Sequence, residues 1–161
     1  MPLSLDQIIP QTETNTNTIP VPFPGQTKQA ASIIDGIHTD VMSIAFADKI
    51  MITVTQAGRL AQWVHVPLNS SNPNFADHQL PADGDEGGLL PMSHLTPTTI
   101  LGGTGTERET MGQLFATQIA STIATKNPEE NRMVVLGLGL EKATRSRETF
   151  FDVVELVMQV I

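Results

Sequence analysis

A glycine-rich segment, Leu101 to Thr106, is the part of the sequence that most resembles a ligand-binding loop. It lies between a predicted strand and a predicted helix, where phosphate-binding loops occur. A Walker loop ends in Gly-Lys-Ser/Thr, whereas this segment ends in Gly-Thr-Glu and has no lysine. A dinucleotide-binding loop needs a third glycine where Arg108 stands. We therefore interpret the segment as a flexible turn. A small ligand- or nucleotide-binding domain that uses the Gly102–Gly105 turn remains the alternative function.

The other reactive side chains do not form a catalytic constellation. The chain has no cysteine to act as a nucleophile, and no serine lies in a G-x-S-x-G elbow. Asp40 and Asp48 fall too far apart along a predicted strand, at ~3.3 Å per residue, to work as a carboxylate pair. We therefore predict a protein that is not an enzyme and uses no cofactor or metal. The chain has four histidines, His38, His65, His78 and His94. None of them has the i, i+4 spacing of a pair of metal ligands on a helix.

The acidic cluster Asp83 to Glu86 lies in a long irregular segment, Asn69 to Met92. A loop of this length inside a compact domain is either functional or disordered. The cluster lacks the further spaced ligands and the terminal glutamate of a calcium-binding hand. We therefore predict a mobile acidic loop over residues 69–92 rather than a metal site.

Length, charge and composition restrict the class of protein. A chain of 161 residues indicates one domain, and 4% aromatic residues indicate a mostly aliphatic core. The net charge of −8 argues against nucleic acid as a partner, because phosphate binding needs a concentrated basic face. No apolar run approaches the ~18 residues of a membrane span. The absence of cysteine fits a reducing compartment, and no signal peptide is visible, so we expect the cytoplasm, the nucleus or both.

The first half of the chain predicts a leader followed by strands. Residues 1–26 are rich in proline, threonine and asparagine and have too little apolar content to offset chain entropy, so we predict a disordered leader. Three apolar runs between His38 and Pro67, joined by short polar links, are typical of neighbouring antiparallel strands. Asp35-Gly36 suits the tight turn of a preceding hairpin. The pattern therefore predicts a four-strand meander from about Thr27 to Pro67.

The second half predicts two strands and two helices. Thr96–Leu101 reads as a fifth strand, and a helix follows to about Lys126, opened by a capping box of Thr106 and Glu109. Met133–Leu140 is apolar on both sides, which indicates a central strand. A last helix is predicted over Ser146–Ile161. The predicted fold class is α+β, a single domain over residues 27–161 with a six-stranded, mostly antiparallel sheet, two helices packed on one face and the order β-β-β-β-β-α-β-α.

The predicted sheet has more apolar surface than two helices can cover. An apolar sheet face that remains uncovered marks an association surface. We therefore predict that one face takes the helices and that the other packs on a similar sheet in a second subunit. The alternative is that the segment Asn69–Met92 covers this face. The residues assigned to the helix side are Met42, Ile44, Phe46, Ile50, Ile52, Val54, Val64 and Val66. Those assigned to the dimer interface are Val41, Ala45, Met51, Thr53, Ala61 and Trp63.

Two consecutive strands carry recognisable motifs: Thr39, Val41 and Phe46 match a "TxVxxxxF" strand, and Ile52 to Leu60 is similar to an "LVTQxGK" strand that follows it. In this order the two motifs resemble those of the proteasome assembly chaperone 3 family. The order of the later elements agrees as well. The resemblance covers about residues 27–161 and indicates a fungal-like member with an extended N-terminus and an enlarged acidic loop.

The resemblance implies a function. Members of this family are small, non-enzymatic chaperones that act without ATP and help assemble the α-type subunits of the proteasome core particle into a ring. They dimerise through the sheet, with themselves or with the related fourth proteasome assembly chaperone. A dimer of this kind would act as a template that binds correctly arranged subunits more tightly than wrong arrangements. Candidates for contacts with basic patches on a partner are Asp77, Asp83, Asp85 and Glu86.

Overall fold

A computed structural model describes residues 25–69, 94–103, 105–141 and 146–161. Nearly all of the predicted leader, residues 1–26, and of the predicted mobile loop, residues 69–92, lies outside these ranges. The predicted order of elements is confirmed. The elements are β1 (Gln26–Ile34), β2 (Ile37–Ala45), β3 (Lys49–Gln56), β4 (Gln62–Pro67), β5 (Thr98–Leu101), α1 (Thr106–Lys126), β6 (Met133–Gly139) and α2 (Arg147–Met158).

The six strands form one sheet in the order β1-β2-β3-β6-β4-β5. Neighbouring strands are antiparallel except for β3 and β6, which run parallel. The predicted α+β class with a mostly antiparallel sheet is therefore confirmed. The apolar strand Met133–Gly139 is central, as its sequence predicts.

The first hairpin forms where the sequence predicts it. Asp35 and Gly36 have φ angles of 51° and 75°, and the flanking residues Ile34 and Ile37 pair directly. A two-residue turn with positive φ at both positions matches the right-handed twist of the flanking strands. The Asp-Gly sequence therefore sets the register of β1 against β2.

The predicted meander is wrong at its last step, because β6 lies between β3 and β4. The link Ala57–Ala61 has to cross one strand, which means spanning two strand spacings, about 10 Å. Five residues at ~3.3 Å each reach that far. The link passes directly over Gly139 of β6, where an added Cβ would collide with the carbonyl oxygen of Arg59. The glycine at position 139 therefore helps to make room for the link, and so allows β6 to lie between β3 and β4.

Both helices pack on the same side of the sheet. Phe115, Ile119 and Ile123 of α1 are buried with Val153 and Val157 of α2 in one core cluster. The rings of Phe115 and Phe150 lie 4.6 Å apart and join the two helices. The strand residues in this cluster are aliphatic and at most 8% exposed: Ile34, Val41, Ile50, Ile52, Val54, Val64, Val66, Val134, Leu136 and Leu138.

Helix α1 begins one residue earlier than the predicted capping box allows. Gly105 is the N-cap residue and its carbonyl accepts the Glu109 backbone N–H at 2.9 Å, so Thr106 is the first helical residue rather than the cap. The predicted end at Lys126 is confirmed. None of the helices within the described ranges combines the length and hydropathy that a membrane-spanning helix needs.

Candidate functional site

The side of the sheet that faces away from the helices is the candidate site. Successive strand residues point to opposite faces, so the residues that alternate with the buried aliphatic set lie on this second side. No described helix packs there. We call this surface the open face. Its central residues are Met42, Ile44, Met51, Thr53, Trp63, His65 and Val135, with Ile33, Leu60 and Leu101 around them and the polar residues Gln29, Asp40, Lys49 and Thr55 toward its margins.

Two rows of side chains cross the open face from strand to strand. The register pairs Ile44 with Met51, Met51 with Val135 and Val135 with His65. A second row joins Met42, Thr53, Gly137, Trp63 and Leu101 in the same way. With strands about 4.8 Å apart, each row forms a continuous strip of mostly apolar or small groups across the sheet.

Gly137 lets bulky side chains pack on the centre of the open face. A Cβ at Gly137 would lie 3.0 Å from the Trp63 ring and 3.2 Å from Leu60 Cδ2, so both groups lie directly over the glycine backbone. Leu60 belongs to the link that crosses β6 and is 43% exposed, while Trp63 is half-buried. The centre of the open face is therefore a large, partly exposed apolar cluster.

The open face has an exposed apolar side chain at each of its two edges and carries few charges. Ile33 is 72% exposed at the β1 edge, and Leu101 is 64% exposed at the β5 edge. The strand alternation places only one described carboxylate here, that of Asp40, whose Oδ2 lies 3.2 Å from His38 Nδ1. Burial of a surface costs least where few charges have to lose water, so the open face is suited to contact with another apolar surface.

Three of the six residues predicted for the interface lie on the open face: Met51, Thr53 and Trp63. The face assignment of Val41 and Ala45 is wrong, because β2 pairs Val41 with Val54 and Ala45 with Ile50, all on the helix side. Ala61 is exposed and lies just before β4, in the link over β6. Met42 and Ile44, which the sequence pattern assigns to the helix side, lie on the open face instead.

The sequence pattern assigns the β2 residues to the wrong faces because polar residues of β2 are buried beneath the helices. Thr39 is completely buried, donates to the Ile37 carbonyl at 3.2 Å and accepts from Gln56 Nε2 at 3.0 Å. A buried hydroxyl is tolerated when its hydrogen bonds are made. Hydrophobicity alone therefore assigned the more apolar Met42 and Ile44 to the core, although the register places Thr39, Val41 and Ser43 there.

The glycine-rich turn has a structural role at its first residue. Gly102 has a φ of 77°, and an added Cβ would collide with the carbonyl oxygen of Ala61. Glycine is thus required where the end of β5 passes close to the backbone before β4. Thr104 lies outside the described residues, as do Asp77, Asp83, Asp85 and Glu86. Within the described ranges, no group of three or more His, Asp or Glu side chains could hold a metal ion.

Comparison with known proteins adds two findings. The family model described as proteasome assembly chaperone 3 matches residues 52–160. A solved chain from a chaperone complex for yeast 20S proteasome assembly has a similar fold, with a TM-score of 0.55 and 11% identity, covering 83% of this chain and 97% of that one. At this identity the likeness shows the fold alone. Comparison with curated proteins gives no match.

Proposed function

The chain belongs to the proteasome assembly chaperone 3 family, and on this premise we propose that it works as a non-enzymatic, ATP-independent dimeric scaffold in proteasome assembly. Its cargo would be the α-type subunits of the proteasome core particle, which it would help to assemble into a ring. The observation that carries the proposal is the open face, an apolar sheet surface over which no described helix packs.

The composition of the open face supports pairing with another protein surface. Methionine and aromatic residues are enriched at the centres of protein interfaces, and charged residues are depleted there. Met42, Met51 and Trp63 occupy the centre of the open face, and Asp40 is its only described carboxylate. The proposed occupant is the corresponding face of a second sheet, from another copy of this chain or from the related fourth proteasome assembly chaperone.

Subunit recognition would use surfaces outside the paired sheets. A dimer that binds neighbouring α-type subunits more tightly in the correct arrangement shifts the assembly equilibrium toward the ring without ATP. The carboxylates of Asp77, Asp83, Asp85 and Glu86 are proposed to contact basic patches on these subunits. Such contacts would accelerate encounter and would weaken as salt increases. The proposed compartments are the cytoplasm, the nucleus or both.

A sedimentation experiment tests the dimer. Met51→Asp places a charge at the centre of the open face, whereas Leu114→Asp places one on the helix side, where Leu114 is 41% exposed. We expect the wild type and Leu114→Asp to form dimers, alone or with the related fourth chaperone, and Met51→Asp to remain monomeric. A dimer that persists in Met51→Asp, or a wild type that is monomeric under both conditions, would contradict the proposal.

Capture of α-type subunits tests the function itself. Tagged wild-type protein should retain α-type subunits from a mixture of unassembled subunits in the absence of nucleotide. The triple reversal Asp83→Lys, Asp85→Lys and Glu86→Lys should reduce capture while leaving dimerisation unchanged. Loss of capture in a variant that also fails to dimerise would not separate the two roles, so sedimentation is run on each variant. Absence of capture by the wild type would refute the chaperone role.

A further inference from the structure

A cavity of about 190 Å³ opens on the helix side, at the end of the sheet where β1 begins. It lies between the first residues of β1, the last turn of α1 and the residues that follow α2. Its base is apolar and is formed by Ala45, Ile50, Ile123, Val160 and Ile161. The sheet itself separates this cavity from the open face, so the two surfaces can be occupied at the same time.

One wall of the cavity is a fixed ion pair. Arg132 donates from Nε and Nη2 to the two Glu130 carboxylate oxygens at 2.8 Å and 2.6 Å, and from Nη1 to the Phe46 carbonyl at 2.9 Å. Hydrogen bonds from Arg132 lower the pKa of Glu130 despite its burial. The charge of Arg132 is therefore neutralised, and its side chain serves as a rigid wall.

Two further cations at the cavity have no such partner. Lys28 of β1 and Lys126 at the end of α1 both line the opening, and neither comes within 4.0 Å of a carboxylate oxygen of the described residues. Lys126 also lies at the negative end of the α1 dipole, which accounts for a lysine there on structural grounds. Lys28 lies on the edge strand β1, where a lysine also hinders pairing with a further strand. The side chains that line the cavity thus carry more positive than negative charge, in a chain of net charge −8.

The size of the cavity restricts what can enter it. An apolar cavity of about 150 Å³ accommodates a benzene ring, whereas sites for drug-sized ligands start at about 300 Å³. A volume of about 190 Å³ therefore fits one branched or aromatic side chain and cannot enclose a nucleotide or a whole acyl chain.

We propose that this cavity binds an acidic peptide segment of a partner protein. One leucine-sized side chain of the segment enters the cavity, and carboxylates next to it in the sequence pair with Lys28 and Lys126. The apolar contact supplies affinity and the two charge pairs select for acidic flanks. This proposal does not depend on pairing of the open faces, since the cavity lies on the opposite side of the sheet.

The test uses the full chain and a fluorescein-labelled pentapeptide with a central leucine between two glutamates. A second peptide carries glutamine in place of both glutamates. Fluorescence anisotropy gives affinity, and amide chemical shifts locate the binding site. We expect saturable binding of the acidic peptide, at least fivefold weaker binding of the glutamine peptide, and shift changes confined to residues around the cavity.

Two variants and one matched control complete the experiment. Lys28→Glu/Lys126→Glu should weaken binding of the acidic peptide by roughly tenfold or more, as expected for two exposed pairs turned repulsive. Arg108→Glu/Arg147→Glu changes the net charge equally at the starts of α1 and α2, whereas the cavity lies at the ends of these helices, and this variant should bind within about twofold of wild type. Ala45→Leu fills the cavity and should abolish binding of both peptides, with a thermal melt to confirm folding.

Three results would overturn the proposal. They are no saturable binding up to about 1 mM peptide, equal losses in the Lys28/Lys126 and control variants, or shift changes on the open face instead of the cavity. Because the lysine variants lie at the surface, folding problems in Ala45→Leu would leave the charge comparison decisive. Dimerisation and α-subunit capture are measured separately, so failure here does not bear on the chaperone function.

Discussion

The two faces of the sheet are built from the same strands and differ in what their side chains are suited for. On the helix side, Ile52, Val54, Val64, Val134 and Leu136 are completely buried and aliphatic. On the open face the neighbouring positions hold methionine, threonine, tryptophan and histidine, most of them half-buried. Branched aliphatic side chains pack rigidly in a fixed core, whereas methionine and tryptophan provide adaptable or amphipathic contact area. Hydrophobicity is shared by both faces, and side-chain type distinguishes the core from the open face.

The largest expected difference between the faces comes from a buried charge. Val134 and Val135 are sequence neighbours on opposite faces, with Val134 completely buried and Val135 half-buried. Val134→Asp should unfold the protein, because an unpaired buried carboxylate costs several kcal/mol against a total stability of roughly 5–15 kcal/mol. Val135→Asp should remain folded and lose dimerisation. Circular dichroism and sedimentation distinguish these outcomes, and an unfolded Val135→Asp protein would mean that the open face belongs to the core.

Truncation of adjacent residues in β3 should give a smaller contrast of the same kind. Ile52→Ala removes a fully buried side chain from the core cluster and should lower the free energy of unfolding by about 2–5 kcal/mol. Met51→Ala on the open face should lower that of the monomer by less than about 1 kcal/mol. Urea denaturation at protein concentrations below the dimer dissociation constant makes the measurement. Similar losses for the two variants would remove the distinction between the faces.

The two β6 glycines should differ in tolerance to a methyl group. At Gly139 the added Cβ meets the backbone of Arg59, which cannot move without shifting the link over β6. At Gly137 it meets the ends of the Trp63 and Leu60 side chains at 3.0 Å and 3.2 Å, which can rotate away. Gly139→Ala should destabilise by about 1–3 kcal/mol and Gly137→Ala by less, while Gly137→Ala should still disturb dimerisation. Thermal melts and sedimentation test this, and greater instability of Gly137→Ala would contradict the packing described.

The smallest expected effect concerns one ion pair on each face. Arg132 lowers the pKa of Glu130 chiefly through side-chain hydrogen bonds, so the pair stabilises the fold above the ordinary glutamate pKa, about 4.3. This contribution is lost as pH falls through the lower pKa of the folded state. Glu130→Gln should therefore cost about 1–2 kcal/mol at pH 7 and nearly nothing near pH 2. Asp40→Asn, which removes the exposed partner of His38, should cost about 0–0.5 kcal/mol at pH 7.

Urea denaturation of both variants and the wild type between pH 7 and pH 2 provides the check. A Glu130→Gln penalty that is independent of pH would show that the carboxylate charge is not what stabilises this corner of the fold. A large penalty in Asp40→Asn would show that the open face depends on its single described carboxylate.

Local chemistry made part of the fold predictable from the sequence. Asp35-Gly36 determines its own turn, and Asn127-Pro128 ends α1 where proline disfavours a helical residue before it. The position of β6 between β3 and β4 was not predictable in this way, because strand pairing across many residues leaves no local signal. Gly137 and Gly139 are the only indication of this position in the β6 sequence, since they mark where another segment approaches the backbone of β6 closely.

The open face was predicted in part for a similar reason. In β3 and β4 the alternation is clear, so Met51, Thr53 and Trp63 were assigned to the correct side. In β2 both alternating sets contain apolar residues, and the hydrogen bonds that make Thr39 acceptable in the core are visible only in three dimensions. The cavity at Lys28 and Lys126 likewise joins three distant segments, which no sequence pattern indicates.

Cross-linking of a single introduced cysteine tests the central claim most directly, because the natural chain has no cysteine. Met51→Cys lies at the centre of the open face, where Met51 is half-buried, and Leu114→Cys lies on the helix side as the control. Each variant is treated with a short bis-maleimide, alone and mixed with the corresponding cysteine variant of the related fourth chaperone. We expect a cross-linked dimer from Met51→Cys and none from Leu114→Cys. A dimer that forms only through Leu114→Cys would show that the helix side, and not the open face, joins the subunits.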